Sequence, residues 1–274
     1  MIKNMKKIFH SIMLAAMVLS TVACSQEELT SSYFSDAKAV KISAQIATSD
    51  VTGSFQTRST PWGNSDNETS NFNTGDKIAV SSSSQAPAVY QLQSNGTWQP
   101  VSNRYLVWEK KEKTVFKAYY PAKDGVSAET FQQPTDFSKD RDMSSADYMT
   151  FEGEYSTNNN PVSLKMERKM ARLQIRFYTY DYLFRSVQIH SNVSGYEKGT
   201  VQRKKTVITP FETGDTGFYS ALLVPTYKDD NETFLSIEAY LPDQPSKTFT
   251  VKGIPELKAG YSYTLIITME DYDE

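Results

Sequence analysis

The stretch Leu173-Gln174-Ile175-Arg176-Phe177-Tyr178 decides the fold class. Apolar and polar side chains alternate through it. In an extended chain successive side chains point to opposite faces, so Leu173, Ile175 and Phe177 share one face while Gln174, Arg176 and Tyr178 share the other. The same period of two recurs at Val40, Ile42, Ala44 and Ile46, interleaved with Lys41, Ser43 and Gln45. Further strands are predicted at 77–80, 89–92, 114–120, 148–155, 186–190, 219–224, 234–241, 248–251 and 261–268. Turn residues separate them, and helical periodicity is nearly absent, which is the pattern of an all-β sandwich. Asn95-Gly96 predicts a hairpin with a type I′ turn, because both central positions of that turn need φ > 0. Residues 122–146 read as a long polar loop. Asn158-Asn159-Asn160-Pro161 is the strongest boundary signal and divides the chain into 24–158 and 159–274, each with the strand count of a seven-stranded sandwich.

The first 23 residues read as a secretory signal. Lys3, Lys6 and Lys7 form a positive start, and Ile8 to Val22 carries no Asp, Glu, Lys or Arg. That run is too short to span a bilayer and suits a cleaved signal segment. Cys24, the chain's single cysteine, follows the small residue Ala23 and precedes the polar run Ser25-Gln26-Glu27-Glu28. This arrangement resembles a bacterial lipoprotein signal, in which cleavage exposes Cys24 for acylation. Two or three acyl chains, at about 0.8 kcal/mol per buried methylene, hold a protein on a membrane. The polar, acidic run after Cys24 resembles the export tag of outward-facing lipoproteins, and this resemblance implies a location on the outer membrane, lipid-anchored and facing outward.

Composition excludes several functions. Without the signal and its three lysines, 26 basic side chains face 32 acidic ones, a formal charge of −6. A nucleic-acid partner is not expected of such a surface. His190 is the one histidine after the signal, so no His-based metal site is predicted. Phosphate-binding glycine loops, His-Glu-x-x-His and Gly-x-Ser-x-Gly are all lacking, and neither an enzyme nor a cofactor is expected.

Several short words, taken in order, carry a family resemblance. Thr57-Arg58 precedes Trp62 and Gly75-Asp76-Lys77-Ile78-Ala79-Val80. Ala118-Tyr119-Tyr120-Pro121, Asp147-Tyr148-Met149, Met170-Ala171-Arg172-Leu173 and Leu257-Lys258-Ala259-Gly260-Tyr261-Ser262-Tyr263-Thr264 follow. Together with the lipoprotein signal, this order resembles the fimbrillin family, the subunits and accessory proteins of type V pili. The resemblance implies two tandem transthyretin-like seven-stranded β-sandwich domains, other pilus subunits as partners and assembly by strand exchange. It also implies proteolytic processing after a basic residue past the first strand, a position that Arg58 fits. A sandwich lacking one strand exposes an apolar groove lined by unpaired backbone groups, which another chain's alternating strand can fill. The two expected exchange faces are Val40, Ile42, Ala44 and Ile46 at one end, and Tyr261, Tyr263, Leu265 and Ile267 at the other.

Other constellations have plainer readings. Tyr178, Tyr180 and Tyr182 repeat at period two and form a candidate ligand surface for stacking sugars or bases, although cross-strand pairing of tyrosines accounts for the same pattern. A host or bacterial surface receptor is a separate expected partner. Glu152 and Glu154 share a strand face, as solvated residues on the outside of a sandwich do. Asp229-Asp230-Asn231-Glu232 lacks the spacing of a calcium loop and is read as a hairpin turn. Lys110-Lys111-Glu112-Lys113 and Arg203-Lys204-Lys205 read as charged hairpin tips. The expected function is a surface lipoprotein acting as structural, tip or accessory subunit of an adhesive pilus. The competing expectation is a monomeric glycan-binding lipoprotein of a polysaccharide uptake system.

Overall fold

The computed structural model describes residues 32–47, 71–109, 113–122, 130–139, 143–179, 182–213 and 217–269. The strands run in order β1 (Ile42–Ile46), β2 (Lys77–Ser82), β3 (Ala88–Leu92), β4 (Trp98–Pro100), β5 (Thr114–Tyr120) and β6 (Phe131–Gln132). β7 (Met149–Tyr155), β8 (Val162–Arg168), β9 (Ala171–Tyr178), β10 (Leu183–Ser191), β11 (Gly195–Glu197) and β12 (Thr200–Gln202) follow. The last are β13 (Thr206–Ile208), β14 (Phe211–Glu212), β15 (Phe218–Leu223), β16 (Asp229–Tyr240), β17 (Lys247–Ile254) and β18 (Ser262–Thr268). The fold is an all-β sandwich, as the alternation predicts.

Seven strands form one sheet in the order β1-β8-β7-β5-β2-β3-β4. Its apolar face gathers Val40, Ile78, Val80, Tyr90, Phe116, Leu164 and Met166 into one cluster. The chain then crosses at Lys169-Met170 into a four-stranded sheet, β14-β15-β9-β18, which faces a second, β13-β10-β16-β17. Leu173 and Ile175 from one and Val187, Leu235 and Ile237 from the other belong to a common buried cluster. Fully burying such side chains contributes roughly 1.5–3 kcal/mol each, so these two faces carry much of the stability. A short sheet, β12-β11-β6, lies beside them.

The alternation predicted from Leu173 to Tyr178 holds within β9: Leu173, Ile175 and Phe177 are buried while Arg176 and Tyr178 are exposed. Two local expectations are corrected. The Asn95-Gly96 hairpin is not type I′: only Gly96 has positive φ, 82°. Gly96 N–H donates to Gln93 O at 2.9 Å, and Gln93 N–H to Thr97 O at 2.9 Å, closing a three-residue loop with glycine at its left-handed position. Asp229-Asp230-Asn231-Glu232 is the start of the long strand β16 rather than a turn, with Asp229 paired to Ile254.

Part of the loop expected at 122–146 is pinned to the core. Phe131 and Phe137 are buried, and β6 pairs with β11 through Tyr196 and Gly195. Gln133 acts there as a substitute strand edge. Its Nε2 donates to Leu222 O at 2.9 Å and its Oε1 accepts from Val224 N–H at 2.7 Å, satisfying backbone groups at the end of β15.

Candidate functional site

The two segments expected to exchange occupy corresponding places. β1 is the edge of the seven-stranded sheet and runs parallel to β8, with Ile42 opposite Val162 and Ile46 opposite Met166. β18 is the edge of its own sheet and runs parallel to β9, with Tyr263 opposite Leu173 and Ile267 opposite Phe177. Each therefore has a single neighbour among the described strands. β8 and β9, the two partners, are joined by the Lys169-Met170 crossing.

Burial differs between the two. Val40, Ile42 and Ile46 are buried and Ala44 is half-buried. Tyr33 covers the start of the strand: its hydroxyl donates to Val40 O at 3.2 Å, and burial raises its pKa to about 12. The ammonium of Lys41 donates to Tyr33 O and sits 3.9 Å from the centre of the Tyr33 ring. Beside β1 opens a cleft of about 470 Å3, lined by Tyr33, Phe34, Ile42, Ala44, Phe72 and Trp98. On β18, Tyr263, Leu265 and Ile267 are half-buried against the second cluster, whereas Ile266 is 59% exposed. Tyr261 is half-buried too, its ring 6.4 Å from that of Tyr263.

Cys24, Arg58 and Tyr180 lie outside the described residues. Tyr178 and Tyr182 are not brought onto one surface. Tyr178 is 55% exposed, whereas Tyr182 is buried with its ring edge-on to Phe249 at 5.5 Å. Glu152 and Glu154 do share an outer face, where Lys117 and Lys113 approach them at 3.5 and 3.0 Å. Arg203 lies in the connection between β12 and β13, its guanidinium 4.0 Å from the centre of the Tyr227 ring. His190 Nε2 lies 2.8 Å from Ser236 Oγ, and burial lowers the histidine's pKa.

One buried pair escaped sequence reasoning. Arg168, the last residue of β8, donates from Nε to both carboxylate oxygens of Asp147, at 3.2 and 3.0 Å. Asp147 stands two residues before β7, so the pair ties the entry of one strand to the exit of its neighbour. An acid and a base 21 residues apart in a polar region give no periodic signal that could have announced it.

The model of the fimbrillin-like family matches residues 57–274. Among solved structures, a candidate cell adhesion protein from Bacteroides uniformis is similar at 16% identity and a TM-score of 0.56, covering 85% of this chain and 94% of its own. A candidate cell adhesion protein from Bacteroides ovatus is similar at 13% identity and a TM-score of 0.58, covering 84% of this chain and 92% of its own. At these identities the likeness establishes the fold. None of the curated proteins matches the chain.

Proposed function

The chain belongs to the fimbrillin-like family, and on that premise we propose that it is a structural, tip or accessory subunit of an adhesive type V pilus, assembled by β-strand exchange. The family is one of structural and adhesive proteins rather than enzymes, and it implies a place at the cell surface. Among the described residues no helix is long and apolar enough to cross a membrane. Attachment to the outer membrane is assigned to acyl chains on Cys24, and processing to Arg58. The two tandem domains are assigned to residues 24–158 and 159–274, except that β8, on the far side of that boundary, pairs into the first sheet and so moves the division to the Lys169-Met170 crossing.

The observation that carries the reading is the placement of the terminal strands. Among the described strands, β1 and β18 each hydrogen-bond to one neighbour. The residues leading into β1 pair only briefly with 106–108, where Val40 N–H donates to Leu106 O at 2.9 Å and Trp108 N–H to Lys38 O at 2.8 Å. Either strand can therefore leave without opening a ladder between two other strands. Departure of β1 would uncover β8, whose Leu164 and Met166 are wholly buried, and extend the adjacent apolar cleft. An alternating strand of another copy restores both the backbone pairing and the apolar contacts.

Deletion of residues 266–274 tests the exchange. A folded monomer that no longer joins surface polymer supports donation by the C-terminal segment, and polymer formed at the normal level refutes it. Anchoring is tested separately with a fatty-acid probe, which labels the wild type and leaves Cys24→Ala unlabelled. For processing, N-terminal sequencing of the assembled form gives Ser59 as first residue. An intact first strand in polymerised subunits would rule out cleavage at Arg58.

A further inference from the structure

On the outer face of the seven-stranded sheet, next to the Lys169-Met170 crossing, four lysines converge on a cleft of about 490 Å3. They come from separate parts of the chain. Lys117 lies on β5, Lys169 on the crossing and Lys198 on the turn between β11 and β12. Lys165 lies on β8, whose alternation buries Val162, Leu164 and Met166 and thereby turns Lys165 and Glu167 outward. Lys198 is fixed by its backbone: it and Gly199 both have positive φ, 49° and 72°, in a two-residue turn closed by the pair Glu197 and Thr200. A lysine in that conformation is uncommon.

Charge is distributed unevenly within the cleft. Lys117 is 3.5 Å from Glu152, and Lys169 is 2.9 Å from Glu167. Lys165 and Lys198 have no ion-pair partner among the described residues. Four lysines against two glutamates leave a local excess of two positive charges on a chain whose net charge is −3. This concentration of positive charge thus runs against the sign of the molecule.

We propose that this cleft binds an acidic saccharide, a sugar unit bearing a carboxylate or sulfate group. The unpaired ammonium groups of Lys165 and Lys198 take the anion, while Glu152 and Glu167 accept hydrogen bonds from sugar hydroxyls. A bare anion has no use for those carboxylates and is repelled by them. A nucleic-acid strand requires a continuous basic track, which an acidic rim interrupts. The volume falls within the range of about 300–1,000 Å3 found for small-ligand sites. The assignment supplies a receptor chemistry for an adhesive subunit but stands on the cleft alone, so its failure would leave the assembly reading intact.

Calorimetric titration of the purified full-length chain with a heparin-derived tetrasaccharide tests it, with maltotetraose as the neutral counterpart and inorganic sulfate as the bare anion. Binding of the acidic tetrasaccharide is expected, with both comparators at least about tenfold weaker. Combining Lys165→Gln with Lys198→Gln should weaken that binding by about tenfold or more without moving the melting temperature, since both side chains are exposed. Lys204→Gln, outside the cleft, should leave it unchanged. The proposal is overturned if the wild type does not bind the tetrasaccharide, if the double variant binds as well as the wild type, or if sulfate or single-stranded DNA binds as tightly.

Discussion

Asp147 and Arg168 form an ion pair at 3.0 Å with side chains 0% and 4% exposed, beside the point where the chain leaves the seven-stranded sheet. Two charges removed from water offset their desolvation only where the pair is well aligned and its remaining hydrogen-bonding groups are satisfied. Arg168→Met strips the carboxylate of its counter-charge, and a loss of about 3–5 kcal/mol is expected at pH 8. Urea unfolding measures it. Much of the loss should return at pH 4.5, where the isolated carboxyl takes up a proton; an equal loss at both values would contradict this account.

The pair also gives the native protein a signed pH dependence. Burial pushes the Asp147 carboxyl up to about 6 against the pull of Arg168, with the charge of Asp76 acting in the same upward direction. The native state therefore holds this proton more tightly than the unfolded chain does. Its contribution to stability is full below pH 4 and declines as the pH rises through about 6. Asp147→Asn, which cannot titrate, should show a shallower fall in urea midpoint between pH 4.5 and 7 than the wild type.

Gly195 faces a steric limit. A Cβ added there would lie 2.1 Å from Phe131 O, and the residue has φ of 156°. Gly195→Ala must push β11 away from β6, at an expected cost of about 1–3 kcal/mol. Thermal unfolding would register it, whereas Gly199→Ala, with open space around its Cβ position, should lose only what its positive φ costs.

Gln133→Leu keeps the side-chain volume and removes both hydrogen bonds to the end of β15. The buried N–H of Val224 loses its acceptor, so about 1–3 kcal/mol of destabilisation is expected. Hydrogen exchange at Val224 should accelerate before that at Ile175 in the core; unchanged exchange would show that the glutamine does not hold this edge.

Legibility in the sequence followed the range of the interaction. The alternation of Leu173, Ile175 and Phe177 is a local pattern, and it announced both the strand and its buried face. β15, in which all six residues are buried, has no alternation to read and emerged only as an apolar run. Turns depended on backbone detail. Asn95-Gly96 advertised a type I′ turn and formed a longer loop, whereas Lys198-Gly199 formed a two-residue turn with φ > 0 at both positions and carried no asparagine to signal it. The lysine cleft was illegible for another reason. Each of its lysines reads separately as a solvated surface residue, and only the pairing of β5, β7 and β8 with the nearby β11–β12 turn collects them.

The parallel seats of β1 and β18 also set an order of events in time. Lys41 N–H finds its acceptor on Asn160, 119 residues further along, and Thr264 meets Gln174 across 90. Among the described strands, β1 is made long before β8 exists to receive it, and β18 is made after the other seventeen. Contacts of such long range close slowly, because the entropy of a large loop is lost before any pairing is gained. β1 and β18 are thus expected to seat late in folding, which leaves an edge of each sheet waiting for a strand from its own chain or from a neighbour.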